Sequence, residues 1–394
     1  MVNWLDNMND NYCILPFKQI SMKEFNGINC SRFLPCSHML KDNGVSCTVR
    51  PVQNKKNQLT PDEGFETYSE IRTFMEEGKR HPSCKVCWDQ EDETGFSFRT
   101  NLEKIDKDSK KFIIDINIGN ECNLACRMCG PGLSKRLYKD LEFVKNNDLS
   151  VQAKWSTDDF LTQNIEYDST SSIQWKWISK NYDKIGALKL AGGEPLFDKK
   201  VKNLLIDMVN SGASSNINLG FYTNGLLLSK NLKILNEFKG IYLDLSVDAT
   251  DSLYEYIRYP GNFGKLEKSV NTFLHNSKNL KDFKVNFVLS SLNILNLSEL
   301  LNWIKKINAN DFGYIDVFPE NRGINAKHLP IYLLTDAIRK IDDDKVINRI
   351  MMLIEKSIPD KKKMKTEIEI FDNSRNQSYM NVLNNDLIKW LNHD

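Results

Sequence analysis

From residue 112 to residue 318 the chain repeats one pattern, a short β-branched run followed by an amphipathic segment. FIIDINI (112–118), ALKLA (187–191), NINLGFY (216–222), IYLDLSV (241–247), FKVNFVL (283–289) and FGYIDVF (312–318) read as buried strands. Between them Val201, Leu204, Leu205, Met208 and Val209 keep the spacing of one helix face, with Gly212 as a stop signal. Leu266, Val270, Phe273 and Leu274 do the same. Strand, helix, strand implies parallel strands joined by right-handed crossovers, with ligands gathered at the carboxyl ends of the strands. Six such units predict an α/β fold, a partial (β/α)6 TIM-type barrel rather than a closed eight-stranded one. LSKRLYKDLEFVKN and SSIQWKWISKNY read as inserted helices in the long gap between the first two strands. After residue 330 the pattern is a helical C-terminal tail, with PDKKKMKTE read as an exposed loop.

The chain's 394 residues suffice for two or three domains. The charged run NLEKIDKDSKK precedes the first strand, so the expected division is 1–108 as a cysteine-rich N-terminal module, 109–325 as the barrel and 326–394 as a helical extension. With 53 Lys and Arg against 52 Asp and Glu, the formal charge of +1 offers no field for a phosphate backbone, and no nucleic acid partner is expected. No apolar run reaches the length that crosses a bilayer, and MVNWLDNMNDNYC lacks the parts of a signal peptide. These features read as a cytoplasmic protein without a membrane partner.

All nine cysteines fall at or before position 129. Directly after the first strand, GNECNLACRMCG sets Cys122, Cys126 and Cys129 at C-x3-C-x2-C spacing. A structural zinc site needs four ligands, and no histidine lies between His81 and His275 to supply one locally. An iron-sulfur cluster held by three cysteines keeps one iron open to a non-protein ligand.

A C-x3-C-x2-C loop after the first strand of such a barrel resembles the signature of the radical S-adenosylmethionine (radical SAM) superfamily. The resemblance implies a 4Fe-4S cluster on Cys122, Cys126 and Cys129 whose open iron is chelated by SAM. One electron then cleaves SAM to methionine and a 5'-deoxyadenosyl radical. LAGGEPLF places Gly192, Gly193 and Glu194 where the family has its GGE motif, which approaches the methionine part of SAM. YTNG puts Thr223 and Asn224 at the same rim, and LSVDAT resembles the ribose-contacting strand end through Ser246 and Asp248. Arg258 resembles the arginine that pairs with the SAM carboxylate, and Ser290 and Asn293 the fifth-strand polar positions. Where many members have an aromatic residue before the third cysteine, this chain has Met128.

In the front region, CILPF, FLPC, SCKVCW, DQEDE and GFSFR together resemble a cysteine-bearing twitch or SPASM-like module, here amino-terminal. The resemblance implies an auxiliary 4Fe-4S cluster on Cys13, Cys36, Cys84 and Cys87, with Cys30 as an alternative to Cys13 and Cys47 as a bystander. By spacing alone, zinc in a ribbon fits as well. His38 and His81 stand near these cysteines, and Trp155, Trp175, Trp177, Trp303 and Trp390 read as packing residues.

The function expected from the resemblance is hydrogen abstraction from a substrate, a peptide or protein side chain first, with dehydrogenation or another modification of a small molecule as the alternative. A flavodoxin or ferredoxin would serve as electron donor. The readings from other classes are a non-catalytic electron-transfer protein and a zinc-stapled scaffold. An electron carrier has no use for the GGE, ribose and arginine positions, and the scaffold lacks a fourth ligand for the triplet.

Overall fold

The computed structural model describes residues 13, 15–24, 31–34, 60–66, 68–95, 97, 111–147, 149, 173–317 and 321–393. Its strands are β1 (Gln19–Glu24), β2 (Ser31–Leu34), β3 (Phe112–Asn117), β4 (Ile185–Ala191), β5 (Asn218–Thr223), β6 (Gly240–Ser246), β7 (Leu280–Leu289) and β8 (Asp311–Asp316). All six strands read from the sequence form, as β3 to β8. They belong to one sheet of order β2-β1-β3-β4-β5-β6-β7-β8. Seven parallel strands, β1 and β3 to β8, with helices around them, make the partial TIM-type barrel.

The sheet holds two strands more than the periodicity suggested. β1 pairs parallel to β3, with Ile20 opposite Ile114, and β2 pairs antiparallel to β1. QISMKE carries only two apolar residues and so gives no strand signal. Ile20 is nevertheless fully buried, and Gln19 Nε2 donates to Asp115 Oδ2 at 3.4 Å.

The chain divides into two compact units, Met1–Gly119 with Ile165–Ala191 and Asn203–Gly220, and Asn120–Asn164 with Gly192–Lys202 and Phe221–Asp394. In the first, Ile114 and Ile116 of β3 stand opposite Leu188 and Leu190 of β4, all buried. In the second, β6 sets Leu243 and Leu245 opposite Phe283 and Val285 of β7. Burying each such side chain contributes roughly 1.5–3 kcal/mol.

The expected helices form where the apolar spacing put them. Phe263–Asn276 buries Phe263, Leu266, Val270 and Phe273, and Asn262 caps it by accepting from the Lys265 N–H at 3.0 Å. Both inserted helices are present, as Tyr138–Asn146 and Ile173–Lys180. Trp175, Trp177 and Trp303 are buried, as packing residues should be, while Trp155 lies outside the described residues.

The tail departs from expectation at PDKKKMKTE, which is not a loop. Asp360 accepts from the Lys363 N–H at 2.9 Å and starts the helix Lys361–Arg375. Met364, Ile368, Phe371 and Arg375 recur at helical spacing and are all buried. The lysine run occupies the first turns of a helix whose apolar stripe continues beyond it.

Candidate active site

The cysteine loop leaves the carboxyl end of β3 and is pinned by its backbone. The Ala125 N–H donates to Tyr259 O at 2.6 Å and the Arg127 N–H to Ile257 O at 2.9 Å. A turn follows, in which the Cys129 N–H reaches Cys126 O at 3.1 Å. Cys126 is buried, and Cys122 and Cys129 are half-buried.

Cys126 and Cys129 share a thiol hydrogen bond, which holds the Cys129 pKa up and brings that of Cys126 down. Cys122 is pushed up to about 12, by burial first and by the neighbouring Cys126 second, although the Leu124 N–H donates to its sulfur at 3.5 Å. The Arg258 guanidinium favours the thiolate at all three.

Among the described residues, no three His, Cys, Asp or Glu side chains converge on one ion. A cluster distributes its cysteines over different iron atoms and does not need such convergence. The donor set fits that group: three thiols on one loop with a buried cation acting on all of them. A further polar atom is unspent, since the Tyr254 hydroxyl is buried and has no hydrogen-bond partner among the described residues.

The segment after β4 lies against the cysteine loop. Gly192 has φ 124°, a conformation that favours glycine. A Cβ on Gly193 would collide with the Glu121 carbonyl, which accepts from the Glu194 N–H at 2.8 Å. The Glu194 carboxylate is fully engaged by the protein. Its Oε1 accepts from Leu196 N at 3.0 Å and Thr223 Oγ1 at 2.8 Å, and its Oε2 from Asn224 N at 2.7 Å. Burial pushes its pKa up to about 7 against these donors. Asn224 Nδ2 then donates to Asn123 Oδ1 at 2.7 Å, so the strand ends and the cysteine loop are tied side chain to side chain.

The fourth- and fifth-strand positions form a second buried latch. Arg258 Nε donates to Asp248 Oδ2 at 2.5 Å, and Asp248 Oδ1 accepts from Val288 N at 2.7 Å. Asn293 Nδ2 donates to the carbonyls of Asp248 and Val288 at 2.9 and 2.8 Å, and its Oδ1 accepts from Ser290 N and Oγ at 2.9 and 3.0 Å. Burial works against the Arg258 charge, but Asp248 and Cys126 outweigh it and raise its pKa. Ser246, at the end of β6, is half-buried and stands outside this latch.

In the front region, Cys13 lies in an apolar cluster with Leu15, Ile71, Met75 and Trp88, and Cys84 packs against it. Cys87, also buried, sits on the helix Lys85–Thr94. His81 accepts from the Ser83 N–H through Nδ1 at 3.2 Å, and burial lowers its pKa. Cys30, Cys36, Cys47 and His38 lie outside the described residues.

Sequence reading overlooked Asn123, Tyr254 and, above all, Arg127 and Arg322. Arg127 offered one signal, its place between two cysteines of the triplet.

No protein-family model matches the chain. A protein of Methanococcus aeolicus named probable GTP 3',8-cyclase is 23% identical over 246 residues, 62% of this chain and 72% of that protein. A protein of the same name from Methanocaldococcus jannaschii is 26% identical over 244 residues, 60% of this chain and 69% of that one. Among solved structures, anSMEcpe with bound AdoMet aligns with TM-score 0.38 and 15% identity over 56% of each chain. Streptococcus suis SuiB bound to precursor peptide SuiA aligns with TM-score 0.35 and 15% identity over 86% of this chain and 63% of that one. The sequence relatives are named as enzymes, and the cysteine triplet after β3 supplies three thiols that fit a 4Fe-4S cluster. The chain is similar to enzymes of the radical SAM superfamily.

Proposed function

We propose that Cys122, Cys126 and Cys129 hold the SAM-binding 4Fe-4S cluster and that Arg258 binds the SAM carboxylate. Gly192, Gly193 and Glu194 would shape the methionine site, and Thr223, Asn224, Ser246, Asp248, Ser290 and Asn293 the nucleoside side. The observation that carries this reading is the cysteine turn itself, whose Ala125 and Arg127 N–H groups donate to Tyr259 O and Ile257 O on either side of Arg258, a buried guanidinium paired to Asp248. With its cluster and SAM bound, the site would supply radical chemistry able to abstract hydrogen from a substrate. The residues' own work is to fix SAM against the loop and exclude water. Glu194 and Asp248 act through their neighbours, because protein donors already occupy their carboxylates.

The substrate proposed is a peptide or protein side chain, which the resemblance of the front region to a twitch or SPASM-like module supports. In that reading Cys13, Cys36, Cys84 and Cys87 hold an auxiliary 4Fe-4S cluster, and a flavodoxin or ferredoxin delivers electrons. Cys13 and Cys84 share one apolar cluster, which supports both as members of this set. A second reading, a small-molecule substrate, is favoured by the relatives named GTP 3',8-cyclase.

Anaerobically reconstituted protein given dithionite and SAM should release 5'-deoxyadenosine and methionine. The Cys122/Cys126/Cys129→Ala variant should release neither. Equal release from both would defeat the proposal. Deuterium transferred into 5'-deoxyadenosine from a labelled peptide supports the first substrate, and transfer from labelled GTP supports the second.

A further inference from the structure

Three buried ion pairs surround the cysteine loop, and each takes one partner from the helix Lys361–Arg375. Arg127, between Cys126 and Met128, sends Nη2 to Asp372 Oδ1 at 2.5 Å and Nε to Tyr256 O at 3.0 Å. Its guanidinium also lies 3.6 Å from the Tyr256 ring centroid. Arg322 Nε donates to Glu367 Oε1 at 2.7 Å, and Arg322 Nη2 donates to Arg127 O at 2.6 Å. Arg375 Nη2 donates to Asp140 Oδ2 at 2.8 Å. Arg127 and Glu367 are 1% exposed, Arg322 2% and Asp372 5%, so these charges are effectively inside the protein.

Asp372 is held in turn. The Tyr256 hydroxyl donates to its Oδ1 at 2.8 Å and the Tyr379 N–H to its Oδ2 at 2.6 Å. Glu367 Oε2 accepts from the Gly323 N–H at 2.5 Å. Each carboxylate is therefore held by donors other than its arginine.

Buried ion pairs are poor stability devices, because apolar replacements of the same volume are often neutral or stabilising. What they supply is position and local charge. Here the positioned object is the backbone of the turn from Cys126 to Cys129, gripped on one side by Arg127 and on the other by Arg322. We propose that the helix Lys361–Arg375 is a positioning element of the cluster site, acting through Asp372 and Glu367 on Arg127 and Arg322. It sets both the geometry of the cysteine turn and the charge beside it. This rests on the reading of the triplet as the SAM-binding cluster.

The sign of the electrostatic effect follows from Coulomb's law. Replacing Asp372 by Asn removes one negative charge and leaves the Arg127 cation uncompensated next to the cluster. Adding an electron to the cluster then becomes easier, and its midpoint potential rises.

The test is an EPR-monitored redox titration of the full-length, anaerobically reconstituted chain, following the signal that responds to SAM. D372N is expected to titrate at a less negative potential than wild type, and D372E to return towards the wild-type value. N279A, which removes hydrogen bonds to Leu235 O and Phe238 O at the amino end of β7, lowers stability and leaves the potential unchanged. A D372N potential and line shape that superimpose on wild type would overturn the proposal. Should D372N fail to fold, E367Q provides the same charge change and the same expected shift. Misfolding of both variants would also overturn it, as the mark of carboxylates that serve only the fold. A wild-type signal indifferent to SAM is a different failure, that of the triplet reading, and it is visible before any variant is made.

Discussion

Arg258 and Asp248 form the most consequential pair at the scale of single residues. Removing the guanidinium by R258A leaves a buried carboxylate uncompensated, a loss of roughly 3–5 kcal/mol for such pairs. Urea denaturation of the cluster-free protein should show it as a lower midpoint at unchanged m-value. R258K keeps the charge but not the planar fork, so SAM affinity should fall at least about tenfold, as read by equilibrium dialysis. Glu194 yields a pH prediction for the same cluster-free protein. Its folded pKa of about 7 lies above the ordinary 4.5. Between those values the folded state binds the proton and the unfolded state does not, so stability is greatest below about 4.5 and falls as pH rises towards 7. The slope should reach on the order of 1.4 kcal/mol per pH unit and disappear in E194Q. A flat wild-type profile would contradict it. Glu194 and Gly193 were legible as a motif in the sequence. That the carboxylate would be occupied by Leu196, Thr223 and Asn224 was not, because those donors meet only when the ends of β4 and β5 come together.

Among the elements, helix ends and strand ends carry different weight. The cap at Asn262 is purely structural: its side chain satisfies the Lys265 N–H and donates to Glu255 Oε1 at 2.7 Å. N262A should cost about 1 kcal/mol, measurable as a shifted denaturation midpoint with the iron content intact. Strands β3, β5, β6, β7 and β8 were legible by their β-branched and aromatic residues and β4 by the alternation of ALKLA, whereas β1 was not. Its six residues include only Ile20 and Met22 as apolar positions, and its place beside β3 is fixed by pairing. The helix Lys361–Arg375 was misread for the opposite reason, as its lysines masked the stripe of Met364, Ile368 and Phe371.

For the whole molecule, the two compact units permit a separate question about each set of cysteines. If the front cysteines hold a second cluster, C84A/C87A should lower iron from about eight to about four atoms per chain and leave the SAM-responsive signal in place. Zinc in place of the missing iron would instead make the front region a structural site. The sequence by itself determined the alternation of strands and helices and the triplet Cys122, Cys126 and Cys129, because those signals are local: periodicity within a segment and ligand spacing within one loop. Only the tertiary structure decided which charges meet in the interior. Arg127 and Asp372 lie 245 residues apart, and Arg322 and the Arg127 carbonyl 195. Any of the chain's many acidic residues could have answered Arg127 in the sequence; burial selects the one that the fold carries to it, because a buried charge without a partner costs more than a domain can spare.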